Sequence, residues 1–502
     1  MVELLATLAR WSRTGRWTAV AGGSLLLGLA LGALGAAAGP AVLLALPVLL
    51  VGIPVVLRRP ALAPCVAVLA MPIGLVNLPG GVDMIQAVVL LVVGLVVAAR
   101  VAQRRPPLAW ATPLGWGLAL AVSALLSTTR ASSLSLALRQ DLAIMLALLL
   151  VSAVLSGCTT WPDVRRLATT VSLLGAVVCA TSLRAASQLQ AVRGGQQVDN
   201  RLQGTFTEPN QFGTFSAVVL MVSVGLLLGA RSRGERLRSA ACALLALVAL
   251  GLALSRGAWI GTVLATVLLL FLLPNARRLL ALVAVPLLLL GVALGALQPD
   301  QPEVQVVRER FSTFGDVKGN PYDNRPSIWR EGRREVLDSP LLGQGPGQFP
   351  VVSTRSASAS QQVAAQHAHD VLLTTSAELG LPAAAMLVAF TLRMLAVVRR
   401  TVRRLAGTGE ASLVAGCAAA LAVVVGQGLV DFELRNSVIL ALLSLVAGIV
   451  LSAARLAAVQ RPREPVPEPV PLLTPAGRPR RKIATRPSGD GGGSGGPGPD
   501  DG

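Results

Sequence analysis

Apolar runs of about 20 residues recur along most of this chain, and they constrain its fold more than any other feature. Hydrophobic residues make up 53% of the 502 residues and charged residues 14%, whereas a soluble domain carries about 25% charged residues. Lipid offers no partner for backbone N–H and C=O groups, so each spanning run must be helical. The sequence therefore predicts an all-α, polytopic transmembrane helical bundle.

About fourteen apolar segments approach or reach the length of roughly 17 residues that a spanning helix needs, and twelve is the lower estimate. The segments are 18–38, 41–57, 61–78, 84–99, 108–127, 140–155, 167–183, 211–230, 239–254, 257–273, 279–297, 379–398, 411–430 and 437–454. The first segment resembles a signal peptide, but its long core and the spans that follow favour its retention.

The net charge of +19 would by itself suggest a nucleic-acid partner. The arginines, however, gather in alternate loops, as the positive-inside rule requires of cytoplasmic loops. The basic clusters begin at Arg58, Arg100, Arg165, Arg231, Arg277 and Arg399. We therefore expect a multi-pass plasma-membrane protein with both termini in the cytoplasm, in contact with membrane lipid and not with nucleic acid.

Five segments follow from this topology. Residues 1–183 are N-terminal spans, 184–297 are spans with an outer loop that carries arginine motifs, 298–378 form a large extracytoplasmic loop, 379–456 are C-terminal spans, and 457–502 form a disordered cytoplasmic tail. Within the large loop, a helix is expected at 324–338. The glycines at 343, 345 and 347 then predict a tight turn that needs no ligand.

Several arginines break the positive-inside pattern, because they lie on the predicted outer side. They are Arg201, Arg256, Arg325 and Arg330. Arginine binds phosphate through two hydrogen bonds and keeps its charge at any pH, so a converging group would suit the phosphates of a lipid-linked donor. The alternative is that each arginine reaches lipid headgroups or pairs with an acid. That alternative is favoured for an isolated arginine, whereas the tight hairpin around Arg256 favours a functional role.

The chain has two histidines, His367 and His369, at the end of the large loop and directly before Asp370. Histidine can accept a proton from a hydroxyl near neutral pH, and Asp370 or Glu378 is expected to hold the imidazole in position. Three alternatives stay open: surface histidines without a role, a pH sensor, and a metal site. A metal site needs a third ligand, for which Asp370 and Glu378 are the candidates.

Aromatic residues are rare, at 3% of the chain, and most lie on or near the predicted outer side. They include Phe206, Phe212, Phe215, Phe311, Phe314, Trp329, Phe349 and Phe432. A sugar-stacking surface and an interfacial aromatic belt explain this bias equally well.

Four sequence blocks, taken together, resemble the O-antigen ligase and polymerase family of bacterial membrane glycosyltransferases. The blocks are Arg201-x-x-Gly204-x-Phe206-x-x-Pro209-Asn210-x-x-Gly213, then Ser255-Arg256-Gly257, then Arg325-x-x-x-Trp329 with Pro340-x-x-Gly343-x-Gly345-x-Gly347-x-Phe349, then His367-x-His369-Asp370-x-x-Leu373 with Glu378-x-Gly380. A looser likeness extends to Asp431. The family has Asn where this chain has Asp370.

The resemblance implies a GT-C-like fold and a metal-independent transferase without a cofactor. Such an enzyme takes a glycan from a polyprenyl pyrophosphate-linked oligosaccharide and passes it to a hydroxyl of a glycan, lipid or protein on the outer side. The implied catalytic residues are His369, as general base, with His367 and Asp370. The implied substrate-binding residues are Arg201, Arg256, Arg325, Arg330, Asn210 and Glu378.

Two competing functions are a transporter or flippase of lipid-linked saccharides and a structural scaffold. A transporter more often places ionisable residues in the middle of its spans, and here the charges gather at the outer rim. The nearest exceptions are Arg139 and Asp141. A scaffold would not require a large loop that ends in paired histidines.

Overall fold

A computed structural model describes residues 53–78, 82–184, 202–274, 325–356 and 367–459. Most of these residues are helical. The α-helices are α1 Ala63–Ala70, α2 Met84–Ala102, α3 Thr112–Ser127, α4 Leu134–Gly157, α5 Trp161–Leu183, α6 Pro209–Leu228, α7 Arg233–Leu252, α8 Arg256–Leu272, α9 Arg325–Asp338, α10 Phe349–Ser356, α11 Val371–Leu379, α12 Leu381–Arg404, α13 Gly409–Gln427 and α14 Ser437–Val459. Two short strands, β1 Asn77–Leu78 and β2 Val82–Asp83, pair antiparallel.

Eight helices of the described chain are long and apolar enough to cross a membrane: α2, α3 with its short 3-10 extension to Arg130, α4, α5, α6, α12, α13 and α14. This confirms the predicted polytopic helical bundle. The shorter α8 is also apolar, whereas α7 begins with a charged turn. The predicted segments 18–38 and 279–297, most of 41–57, and nearly all of the predicted tail lie outside the described residues.

Polar side chains set where several helices begin. Thr160, Ser232, Ser255 and Thr408 each accept a hydrogen bond from the backbone N–H three residues further on. Such a cap satisfies one of the N–H groups that has no partner within the helix. Each of these four helices begins at its cap, slightly before the apolar segment that the sequence predicts.

One predicted span differs from the structure, and another is confirmed but begins after a break in the helix. The segment 61–78 holds only α1, flanked by 3-10 turns, and then enters the β1–β2 hairpin. The segment 379–398 begins where α11 ends, and its span is α12. Gly380 separates these two helices with a φ of +88°, which breaks the helical hydrogen bonding. A Cβ at this position would lie 2.2 Å from the Leu341 carbonyl oxygen, so only glycine fits.

Helices α6 and α14 lie in the interior of the bundle, because 78% and 89% of their apolar windows are buried, against 22% for α12. Close packing of α6 against α13 depends on paired glycines. A Cβ added to Gly416 would lie 2.4 Å from the Gly225 Cα, and one added to Gly409 would lie 2.8 Å from the Gly229 carbonyl oxygen. Small residues of this kind let membrane helices approach at backbone distance.

We predict that Gly416→Ala lowers the free energy of unfolding by about 1–3 kcal/mol, because the extra methyl forces α6 and α13 apart. Thermal unfolding in detergent measures the effect. The matched control is Gly251→Ala in α7, where an added Cβ meets no described atom within 4 Å. Alanine favours the helix there, so the control should be neutral or slightly stabilising. Equal melting temperatures for the two variants would contradict the assigned helix contact.

A candidate histidine–aspartate active site

His369 and Asp431 form a hydrogen-bonded pair, with 2.8 Å between Nδ1 and Oδ1. His369 lies directly before α11, and Asp431 lies in the connector between α13 and α14. The carboxylate accepts, so Nδ1 carries the hydrogen and Nε2 of the neutral ring keeps a free lone pair. The His369 side chain is 28% exposed and that of Asp431 only 3%. The imidazole is thus held from its buried side and can accept a proton on the other.

Asp431 is held by further donors. Asn210, in the first turn of α6, donates through Nδ2 to the second carboxylate oxygen at 2.7 Å, and the backbone N–H of Phe432 donates to Oδ1 at 2.9 Å. Burial alone would raise the pKa of Asp431, but the hydrogen bond from His369 and the charges of the two histidine rings hold it below its ordinary value. Asp431 is therefore a fixed anion that orients the ring.

The backbone of His369 adopts a left-handed conformation, with φ of +50°, which is uncommon for residues other than glycine. Its N–H donates to Nδ1 of His367 at 3.3 Å, and the two rings meet edge to face at 4.4 Å. Burial, together with the charges of His369, Arg435 and Arg325, lowers the pKa of His367 to about 3, although the charge of Asp431 acts in the opposite direction. A neutral, weakly basic His367 supports its neighbour and is a poor base itself.

Asp370 does not hold the imidazole, and that expectation is wrong. Its side chain turns back over α11 and accepts a hydrogen bond from the Leu373 N–H at 2.7 Å, as the cap of that helix. The carboxylate that holds the imidazole is that of Asp431, which lies 62 residues after His369 in the chain. The signal in the sequence was an acid in the short connector between two apolar spans.

The sequence resemblance implies that Glu378 binds substrate. In the structure, Glu378 holds the glycine turn. Its carboxylate accepts from the backbone N–H groups of Gly347 at 3.0 Å and Phe349 at 3.1 Å, and it pairs with Arg435. The side chain is 5% exposed. Both oxygens are therefore engaged within the protein.

The glycine turn and helix α9 agree with the sequence-based expectation. Gly343, Gly345 and Gly347 have φ of +68°, +108° and +70°, conformations that glycine adopts without strain. The N–H of Gly345 donates to the Glu378 carbonyl at 2.9 Å. Gln348, fully buried, accepts from the Ser133 N–H at 2.8 Å. The turn thus joins α11 to the α3–α4 connector.

Two of the singled-out arginines begin helices that lie near the pair. Arg256 opens α8, and a Cβ on the next residue, Gly257, would lie 3.0 Å from a methyl of Val430, which precedes Asp431 in the chain. Arg325 opens α9, and its charge lowers the pKa of His367. Arg330 lies on the exposed surface of α9. Arg201 lies outside the described residues, and its role stays a prediction.

A buried polar network under Asp431 was missed by sequence reasoning. Gln427, at the end of α13, donates to Glu433 at 3.0 Å and is itself hydrogen-bonded to Thr214. Asn436 donates to Gln211 at 2.7 Å. Such networks rigidify the segments that they join, here α6, α13 and the start of α14.

Glu433 in this network is shifted toward its neutral form. Burial, together with the charges of Asp431 and Glu208, raises its pKa well above its ordinary value. The pKa values of the two acids in one connector are thus shifted in opposite directions, that of Asp431 downward and that of Glu433 upward.

The aromatic residues fit neither expectation where the structure describes their packing. Phe212, Phe215 and Phe349 are fully buried, and Phe206 and Phe432 nearly so. The Phe206 and Phe215 rings lie 5.2 Å apart in the core. A sugar-stacking surface and an aromatic belt are therefore both wrong for these five side chains, which stabilise the site from within. Phe311 and Phe314 lie outside the described residues.

A buried carboxyl group, Glu335, lies on the face of α9 that packs against α11. It is 1% exposed, and neither oxygen has a hydrogen-bond partner among the described residues. Burial, together with the smaller effect of the charges of Glu331, Glu378 and Asp338, raises its pKa to about 9. Glu335 is thus protonated at neutral pH in the folded protein.

We predict that Glu335 makes stability fall as pH rises. The folded pKa of about 9 exceeds the ordinary value of 4.5. The folded state therefore holds a proton that the unfolded state loses, between pH 4.5 and 9, at most about 1.4 kcal/mol per pH unit. Glu335→Gln should remove this dependence and gain stability over the natural protein toward pH 9. Thermal unfolding at pH 5, 7 and 9 measures it.

The control for this prediction is Asp338→Asn, which changes an exposed carboxylate on the same helix. It should leave the pH dependence of unfolding close to that of the natural protein. If Glu335→Gln and Asp338→Asn give the same pH profile, Glu335 is not the buried acid that the geometry indicates.

Fold and site together define a polytopic membrane protein with a hydrogen-bonded histidine–aspartate pair beside the ends of its helices. Residues 241–388 match the family model described as O-antigen ligase, which confirms the resemblance and gives the chain an O-antigen ligase domain. The match runs from within α7 into α12 and includes His367, His369, Arg256 and Arg325. No curated protein matches the chain.

The O-antigen ligase match bears on the activity in general terms. Together with the eight apolar helices, it supports a membrane glycosyltransferase of the O-antigen ligase or polymerase type. This type acts on a lipid-linked sugar donor and a glycan acceptor. Asp431 and Asn210 lie outside the matched region, and the structure alone brings them to the histidines.

Proposed function

We propose that the chain transfers or polymerises a glycan from a polyprenyl pyrophosphate-linked donor, with His369 as general base and without a metal. The acceptor is a hydroxyl of a glycan, a lipid or a protein. The observation that carries the proposal is the 2.8 Å hydrogen bond between His369 Nδ1 and Asp431. It fixes the tautomer that a base needs and stabilises the imidazolium that forms.

The proposed reaction is a single displacement. The acceptor oxygen gives its proton to His369 Nε2 and forms a bond to the anomeric carbon, while the bond from that carbon to the pyrophosphate oxygen breaks. Polyprenyl pyrophosphate leaves with the electron pair, and the anomeric centre inverts. The proton on His369 then passes to solvent, which restores the base.

Arginines are proposed to stabilise the negative charge that develops on the leaving pyrophosphate. Arg256 and Arg325 are supported by their positions, since one begins the helix that packs beside Val430 and the other acts on His367. Arg201 and Arg330 remain proposed on the family resemblance. Asn210 is proposed to act through Asp431, to which it donates a hydrogen bond.

The site is proposed to face the outer side of the plasma membrane, with both termini in the cytoplasm. Helix α6 supports this, because Asn210 lies in its first turn and Arg231 follows its far end. Helix α12 likewise starts beside the glycine turn and ends at Arg403 and Arg404. Basic residues mark the cytoplasmic ends of spans, so the site lies at the opposite ends.

We predict that His369→Ala and Asp431→Asn each lower turnover about 10²–10⁴-fold, the usual contribution of a general base. The assay uses purified protein with a lipid-linked oligosaccharide and measures release of polyprenyl pyrophosphate. The matched control is Asp370→Asn, because asparagine also caps helices, and it should keep most of the activity.

Two results would contradict the assignment. If Asp370→Asn costs as much as Asp431→Asn, the residue that orients the base is wrongly assigned. If the protein moves the lipid-linked saccharide across a membrane and releases no carrier, it is a transporter and not a transferase.

We further expect the reaction to proceed in the presence of a chelator such as EDTA, since the base and the arginines supply proton transfer and charge stabilisation. Turnover is measured before and after chelation and dialysis. Loss of activity that Zn²⁺ or Mn²⁺ restores would show that a catalytic metal is required.

A further inference from the structure

Three potential metal ligands meet at the site. One ligand atom each from His367, His369 and Asp431 lie within 4.8 Å of one another. The third ligands that the sequence offers near the His-x-His motif, Asp370 and Glu378, are engaged in a helix cap and in the glycine turn. Folding supplies a third ligand from the α13–α14 connector. Two imidazoles and one carboxylate with an open fourth position are a donor set typical of zinc.

We propose that this cluster binds Zn²⁺ reversibly and that the bound ion blocks the transfer reaction. The binding stands on the ligand geometry alone, whereas the block rests on the proposed function. Nitrogen donors favour zinc over Mg²⁺ and Ca²⁺, which take oxygen ligands.

The distances need only a small closure. Zinc lies about 2.0–2.2 Å from nitrogen and oxygen ligands, so ligand atoms in a tetrahedral site lie about 3.3 Å apart by simple geometry. His369 Nδ1 and Asp431 Oδ1 are 2.8 Å apart, which requires slight separation, and His367 must move inward. The edge-to-face rings, 4.4 Å between centroids, are already adjacent.

Residues around the cluster favour a usable site. Asn210 donates to the second oxygen of Asp431 at 2.7 Å, and such outer hydrogen bonds orient metal-binding carboxylates. The His369 side chain, 28% exposed, opens a path from solvent. Arg325 and Arg435 place positive charge near His367, and repulsion by this charge weakens the binding of a cation.

Binding through Nδ1 explains the block. In the free site Nδ1 of His369 carries the hydrogen and Nε2 the lone pair. Zinc takes the Nδ1 lone pair, so in a neutral ring the hydrogen must move to Nε2. No proton is lost or gained by the ring, but Nε2 is now a donor and cannot accept the proton of the acceptor hydroxyl. The ion also displaces the hydrogen bond to Asp431.

The test titrates Zn²⁺ into the full-length protein in detergent, by calorimetry and by competition with a chromogenic chelator. We expect one ion per chain, inhibition of transfer over the same concentration range, and recovery on adding EDTA. Mg²⁺ and Ca²⁺ should neither bind nor inhibit. Zinc binding that leaves transfer unchanged would overturn the block.

Variants locate the ion. His367→Gln and Asp431→Asn should each weaken zinc binding at least tenfold, because each removes one of three ligands. Asp370→Asn retains the neighbouring cap and should bind zinc as the natural protein does. Cys65→Ser, at the one free thiol in the described chain that is not fully buried, should also bind normally. Unchanged affinity in His367→Gln would overturn the site.

The two hypotheses fail separately. If purified protein shows no transfer but binds Zn²⁺ with the variant pattern above, the metal site stands and the proposed activity falls. If transfer depends on His369 but no variant changes zinc affinity, the activity stands and the metal site falls.

Discussion

The carboxylate of Glu378 joins the segments from which the site is built. It accepts from the backbone of the glycine turn and pairs with Arg435, which belongs to the connector that also carries Asp431. Because Glu378 itself lies in α11, the helix that His369 precedes, a single side chain fixes the histidine segment relative to the aspartate segment. Removing one partner of such a buried pair leaves an uncompensated charge, so the site and the fold around it depend on the same contact.

Most of the fold could be predicted from hydropathy, because lipid requires each span to be apolar and helical by itself. Helix α9 and the turn at Gly343–Gly347 were also within reach, since caps, proline and glycine act locally. The pairing of His369 with Asp431 could not be predicted from the sequence. The two residues are far apart in the chain, and only the packing of α11 against the α13–α14 connector brings them together. Asp370 and Glu378 are the acids nearest to the histidines in the sequence and were therefore expected to hold the imidazole. In the structure Asp370 caps a helix and Glu378 holds the glycine turn.

Charge in this region is controlled by hydrogen-bond partners and not by composition. Asp431, Glu433 and Glu335 are all nearly inaccessible to solvent, yet the pKa of Asp431 lies below its ordinary value and those of the other two lie above theirs. The difference is the partner: Asp431 receives hydrogen bonds from His369, Asn210 and the backbone, whereas both oxygens of Glu335 find none among the described residues. A sequence shows three acids, and only the contacts show how many negative charges they contribute.

The break at Gly380 separates a helix with few inner contacts from one that is firmly held. Only 22% of the apolar window of α12 is buried within the protein, and a spanning helix can accommodate a change in bilayer thickness by tilting. Helix α11 is fixed by the hydrogen bond from Val371 N–H to the Gly428 carbonyl at 2.7 Å and by the glycine turn against its end. Gly380, at φ of +88°, prevents the two helices from forming one continuous rod. We therefore expect a tilt of α12 to leave the imidazole in place relative to Asp431.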